Sequence, residues 1–172
     1  MMVIRELALD ELGLAAAIDV TEDGTVVLEQ RRVAIEARAE EWHRPPRTPE
    51  RWGAFVAPWL MFIPSAGCAL GAFDADRLVG IATLRRDVRP GIDQLEALFV
   101  DRGHRRTGVA SALVAEVEQR ARAGGARLLY VSATPSESAV GFYAARGFAP
   151  TPDPIPELLA LEPEDVHMVL GL

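Results

Sequence analysis

The 172-residue chain contains no lysine, no asparagine and only one cysteine. Each gap removes a class of chemistry. Without lysine there is no Gly-Lys-Ser/Thr phosphate loop, and no Gly-x-Gly-x-x-Gly is present, so nucleoside triphosphates and dinucleotides lose their usual sequence support. Cys68 cannot close an internal disulfide. It fits a reducing compartment and, set in an apolar run, reads as a small buried hydrophobe. His43, His104 and His167 are scattered and with one cysteine make no metal-ligand spacing, so no metal is expected. Met1 to Leu9 carries Arg5 and Glu6 and lacks a signal-peptide core, and no stretch reads as a bilayer span. A cytoplasmic location without membrane contact is the expectation. Basic residues are also in deficit: the 18, all arginine, face 25 Asp and Glu, and a net charge of −7 argues against nucleic-acid partners.

With 49% hydrophobic and 25% charged residues, the chain has the composition of a globular protein, and its length fits one domain. Its charge is uneven. Residues 101–127 set six arginines against Asp101, Glu116 and Glu118, whereas residues 151–172 carry five acids and no arginine. One region suits an anionic cofactor and the other a cationic acceptor.

Periodicity and punctuation give an element order. Val3 to Leu9 reads as a strand, and Asp10 as the cap of a short helix to about Asp19. Thr21 to Thr25 reads as a turn. Glu29 to Trp42, rich in Ala, Glu and Arg, reads as a helix ended by Pro45-Pro46. Thr48-Pro49 starts another helix carrying the ridge of Trp52, Phe55, Val56, Trp59 and Leu60, either core packing or one wall of an acceptor pocket. Strands follow at Gly67–Phe73, Arg77–Arg86 and Leu95–Val100, then a helix over Gly108–Ala123 stopped by Gly124-Gly125. A strand over Arg127–Thr134, a helix over Ser136–Arg146, a strand from Phe148, a proline-stiffened loop and a last strand over Val166–Leu170 complete the chain. This is an α+β pattern.

The stretch Val100 to Leu113 carries the most specific chemistry. A strand ends in a polar loop that passes through Gly108 into a helix, whose first N–H groups have no internal partner and can bind a phosphate. Gly108 allows close approach, Arg105 and Arg106 add charge, and Ala110 and Ser111 keep the first turn uncrowded. The spacing Arg105-x-x-Gly108-x-Ala110 resembles the pyrophosphate motif (Gln/Arg-x-x-Gly-x-Gly/Ala) of the GNAT acetyltransferase superfamily. Gly141-Phe142-Tyr143-Ala144-Ala145-Arg146-Gly147-Phe148 resembles that family's later Tyr-x-x-x-Gly-Phe signature.

The resemblance implies a single GNAT domain over 1–172 with a mixed, mostly antiparallel sheet of about six to seven strands flanked by helices. It implies an acetyl-CoA-binding core over about 93–148 and variable acceptor-side helices over about 20–66. Acetyl-CoA would be the cosubstrate, held at Arg105, Arg106, Thr107, Gly108, Val109, Ala110 and Ser111. Its pantetheine arm would run along Leu98, Phe99 and Val100, where the family splays the strand at a bulge. Many relatives place an Asn at the start of the tyrosine helix. This chain has Ser136 there and Ser138 beside it, so either hydroxyl reaches the arm or Ser136 simply caps the helix.

Tyr143 would meet the leaving thiolate. Proton transfer from an ordinary tyrosine to a thiolate is uphill by roughly 2 kcal/mol, which favours hydrogen-bond donation over outright acid catalysis. Glu96 is the candidate base, with a water chain as its rival. The expected reaction is direct attack of a primary amine, on a small molecule or a peptide, upon the thioester. A non-catalytic CoA-binding sensor is the alternative. A homodimer is compatible with the resemblance, and the acceptor stays open among polyamines, aminoglycosides, amino acids and protein N-termini.

Overall fold

The computed structural model spans Met1–Leu172. Strands β1 (Met2–Glu6), β4 (Gly67–Asp74), β5 (Arg77–Arg89), β6 (Ile92–Val100), β7 (Leu128–Ala133), β8 (Ala149–Pro150) and β9 (Val166–Gly171) form one seven-stranded sheet in the order β1-β4-β5-β6-β7-β9-β8. Only β6 and β7 run parallel, across three residue pairs. The single mixed, mostly antiparallel sheet agrees with the sequence expectation.

Strands β4 and β5 are apolar on both faces because both faces are covered. Cys68, Leu70 and Ala72 of β4 and Val79, Ala82 and Leu84 of β5 join the core under α2 (Val109–Ala123) and α3 (Glu137–Ala145). The alternate residues Ala69, Phe73, Leu78 and Ile81 pack with Trp52 and Trp59 of α1 (Pro49–Ala66) and with the 3-10 helix Leu9–Ala17. The uncharged run from Trp52 to Phe73 is divided between α1 and β4, and no helix is long and apolar enough to cross a membrane.

Four local expectations need correction. Glu29 to Trp42 is not a helix. It belongs to a hairpin of β2 (Glu22–Arg31) and β3 (Ala34–Arg44), turned at Arg32-Val33 with Arg32 in the left-handed region at φ 59°. Helix-forming composition suggested the wrong period, whereas Ile35-Glu36-Ala37-Arg38-Ala39-Glu40 alternates with period two. Leu28 and Ile35 pack on the core, while Arg31 and Arg38 bridge Glu36 and Glu29 across the strands. The turn expected at Thr21–Thr25 is absent, and Glu22 to Thr25 form the start of β2. There Gly24 faces Trp42, whose ring leaves no room for a side chain, a Cβ falling 2.2 Å from it.

The 3-10 helix is capped at Ala8 rather than Asp10, and Glu11 accepts the Ala8 N–H at 2.9 Å. The proline-rich segment contains a short α4 (Pro156–Leu161), with proline at the first helical position that it favours. That segment is tied down by a buried node. Nε2–H of His167 donates to the Glu162 carbonyl, so Nδ1 accepts from the Tyr130 hydroxyl at 2.7 Å, and that hydroxyl accepts the Ile155 N–H.

Candidate active site

The phosphate end is built by the β6–α2 connection. Asp101 follows β6 and anchors the loop. Burial works against its charge, but the Asp19 and Gly103 amides, His104 and Arg77 together hold its carboxyl below the usual range. Gly108 caps α2 with φ 91° and supplies no side-chain acceptor, leaving the first amides of the helix uncapped beside Arg106. A cavity of about 660 Å³ opens there, lined by Val100, Arg105, Arg106, Gly108, Ala110, Ser111 and Ser138 among others. Of its two acids, Glu22 pairs with Arg44 at 3.0 Å and Asp23 is hydrogen-bonded with the ring Nδ1 of His43 at 2.5 Å. Arg102 and Arg106 have no ion-pair partner. Polar, positive and open, this end suits a diphosphate.

A narrow passage of about 180 Å³ continues from it between β6 and β7, with Leu98, Phe99, Val100, Ser136, Ser138 and Tyr143 in its walls. The passage exists because the two strands part after Gln94 and Tyr130, leaving the facing edges of Leu95–Val100 and Val131–Ala133 unpaired. The bulge lies at Glu96, where β6 carries one extra residue against Thr83 and Leu84 of β5, and not at Leu98–Val100 as expected. An extended amide-bearing chain can pair with such an edge. Ser136 caps α3 by accepting the Ala139 N–H at 3.2 Å, and Ser138 donates to Glu22 at 2.5 Å.

The passage opens into a third cavity of about 390 Å³, which holds Tyr143, Glu96, Arg47, Phe55 and the acids Glu162, Glu164 and Asp165. Tyr143 stands in the walls of both spaces. It packs edge-on against Phe142 and Phe148, makes no hydrogen bond to the protein, and burial raises its pKa above the ordinary tyrosine value. Glu96 projects from the bulge. Burial pushes its pKa up, against the donors Thr83 Oγ1 at 2.8 Å and Trp59 Nε1 at 2.6 Å, both on Oε2. Asp165 is pushed up to about 7 by burial and by the neighbouring Glu162 and Glu164.

Most of the residues singled out in the sequence meet along this channel. Thr107 and Val109 do not line it: Thr107 donates to the His104 carbonyl at 2.6 Å, and Val109 is buried in the core. The aromatic ridge divides its duties. Phe55 lines the third cavity, Trp59 is buried and holds Glu96, and Trp52 is core. Of the five acids in the stretch 151–172 that suits a cationic acceptor, Asp153 and Glu157 lie outside the cavity, and Glu157 pairs with Arg89. Glu22, Arg44, Arg47 and Thr83 were missed, since their roles depend on the unforeseen hairpin and on cross-strand contacts.

No curated protein matches the chain. Among solved structures, nourseothricin acetyltransferase is similar at a TM-score of 0.76 and 16% identity, covering 99% of this chain and 98% of that one. A candidate streptothricin acetyltransferase from Bacillus anthracis, solved with acetyl coenzyme A, superposes at 0.71 with 19% identity over 100% and 98% of the two chains. The ribosomal-protein-S18-alanine N-acetyltransferase of Escherichia coli gives 0.64 with 15% identity over 99% and 94%. At these identities the likeness is one of fold. The model of the acetyltransferase (GNAT) family matches residues 30–148, which contain the phosphate loop, the parted strands and Tyr143. This chain belongs to the GNAT family of acetyltransferases.

Proposed function

We propose that the protein transfers the acetyl group of acetyl-CoA to a primary amine, most favourably one bearing a second positive charge. The observation that carries this reading is the run of three adjoining spaces from the Gly108 amides to Glu96, with Tyr143 in the wall shared by the last two. The residues fit the cosubstrate: the uncapped first turn of α2 with Arg106 for the diphosphate, and the free edge of Leu98–Val100 for the arm. Acetyl-CoA supplies an activated acyl group as a thioester.

The chain's own residues do the rest. The parted strands orient the arm so that its reactive end faces the third cavity. Glu96, with Oε1 free of protein donors, takes a proton from the incoming ammonium directly or through water, and its raised pKa brings it nearer to that of the amine. Tyr143 donates a hydrogen bond to the departing sulfur, which leaves as the thiolate when the thioester C–S bond breaks and takes its proton from water. Because burial holds the Tyr143 proton more tightly, this residue acts as a donor and not as an acid that ionises. Glu162, Glu164 and Asp165 attract the cationic acceptor.

A thiol-release assay with acetyl-CoA over mono- and diamines tests this. Saturable, amine-dependent thiol release that is lost in Glu96→Gln is the expected outcome. Tight acetyl-CoA binding without amine-dependent release from any member would replace the enzyme by a CoA-binding sensor.

A further inference from the structure

Arg47 lies where β3 hands over to α1, after Pro45-Pro46 and just before the cap residue Thr48. Its guanidinium stacks among three rings, at 4.6 Å from the centroid of Trp52, 4.0 Å from Phe55 and 4.4 Å from Phe99. It is the one arginine not exposed to solvent that has neither an ion pair nor a hydrogen bond, and its buried Nη1 is without a partner. Burial, with Arg44 and Arg51 close by, lowers its pKa to about 10. The aromatic faces offset part of the lost hydration but accept none of its N–H hydrogens in line. A half-buried charge whose Nη1 is dry and unpaired, set next to other positive groups, calls for an anion from outside.

Its location defines which anion. Arg47 lines the same cavity as Glu96 and Tyr143, while Glu162, Glu164 and Asp165 occupy that cavity as well. None of these carboxylates comes within ion-pair distance of Arg47 in the structure. The cavity is therefore bipolar, with a planar guanidinium fork at one place and a group of acids at another. A forked donor of this kind matches a carboxylate through two parallel hydrogen bonds.

We propose that Arg47 binds a carboxylate of the acceptor, so that the acceptor is a basic amino acid or a residue with a free carboxyl terminus rather than a plain polyamine. This inference rests on the amine-acetylation reading above. In it the carboxylate is held at Arg47, the reacting amine faces Glu96, and a distal ammonium reaches the acidic group.

Lysine, lysinamide and cadaverine form a matched series, because they differ only in whether the carboxylate is present, neutralised or removed. Two readouts are compared: kcat/KM by thiol release, and affinity by calorimetry on protein saturated with coenzyme A. In the unaltered protein, lysine should exceed both other compounds by at least tenfold. In Arg47→Met the lysine-to-cadaverine ratio should collapse to within about twofold of unity, and Arg47→Lys, which keeps the charge but loses the fork, should fall between. The ratio cancels any general loss of folded enzyme. Diamine turnover with no Arg47-dependent preference for lysine overturns the proposal and leaves the acetylation reading standing. Arg47-dependent lysine binding without turnover of any amine does the reverse. Lysinamide equal to lysine overturns the carboxylate assignment, and the absence of an Arg47-dependent preference in both readouts overturns the subsite altogether.

Discussion

At Glu96 a single oxygen, Oε2, takes both protein donors, Thr83 and Trp59. Both donors favour the ionised form and so oppose the burial that raises its pKa. Replacing Thr83, which is fully buried, by the isosteric Val removes one of them at little cost in packing. The Glu96 pKa then rises further, and the acid limb of the kcat/KM profile should move to higher pH while the plateau stays within a few-fold. A limb that does not move means that a group other than Glu96 sets it. Tyr143→Phe keeps the contacts with Phe142 and Phe148 and deletes only the hydroxyl. Turnover should fall by roughly 100-fold with acetyl-CoA affinity nearly intact, about what the loss of one hydrogen-bond donor to a developing anion costs. Full activity in that variant would make Tyr143 a packing residue.

The β6–α2 connection works as an element because Gly108 turns the chain with a positive φ that side chains rarely adopt. A Cβ at Gly108 meets no protein atom within 4 Å, so its space is that of the phosphate cavity. Gly108→Val should weaken acetyl-CoA binding at least tenfold, about 1.4 kcal/mol, by calorimetry; unchanged affinity in a folded variant would remove the phosphate assignment. This element was legible in the sequence because its signals are local: a strand, a glycine at a turn and a helix with an apolar stripe. The β2–β3 hairpin was not, since Ala, Glu and Arg speak for a helix by composition while its true support comes from ion pairs between strands and from Trp42 crossing to Gly24. The bulge at Glu96 is hidden for a similar reason. It is a property of the register between β5 and β6, and no residue type announces it.

Across the whole molecule, charge is sorted along the channel, with arginines at the phosphate end and acids at the acceptor end. Asp165 makes that sorting depend on pH. Its pKa of about 7 lies above the ordinary carboxylate range, so the group is neutral below that pH and charged above it. The advantage of dicationic over monocationic amines in kcat/KM should grow as pH rises from about 6 to 8 and shrink with added salt, and Asp165→Asn should flatten the pH response. An advantage independent of pH and salt would make the acids a mere solvated surface. The same linkage fixes the sign for stability: the raised folded-state pKa favours the fold at low pH, and that contribution is lost as pH climbs through about 7.

The sheet itself is nearly two sheets. One half, in sheet order, runs from β1 to β6 and the other from β7 to β8, and they are joined by three residue pairs, Ile92–Gln94 with Leu128–Tyr130, extended only by the Gly91 carbonyl, which accepts from the Arg127 and Leu128 amides. Past that seam and the bulge at Glu96, every second amide of β6 faces β5 while the ones between face open space. Deuterium should therefore enter Ala97–Val100 in alternation, fast and slow, when the protein is alone. An arm laid in the gap closes it like a missing strand, and the fast set alone should then slow, turning a local breathing pattern into a residue-by-residue record of occupancy.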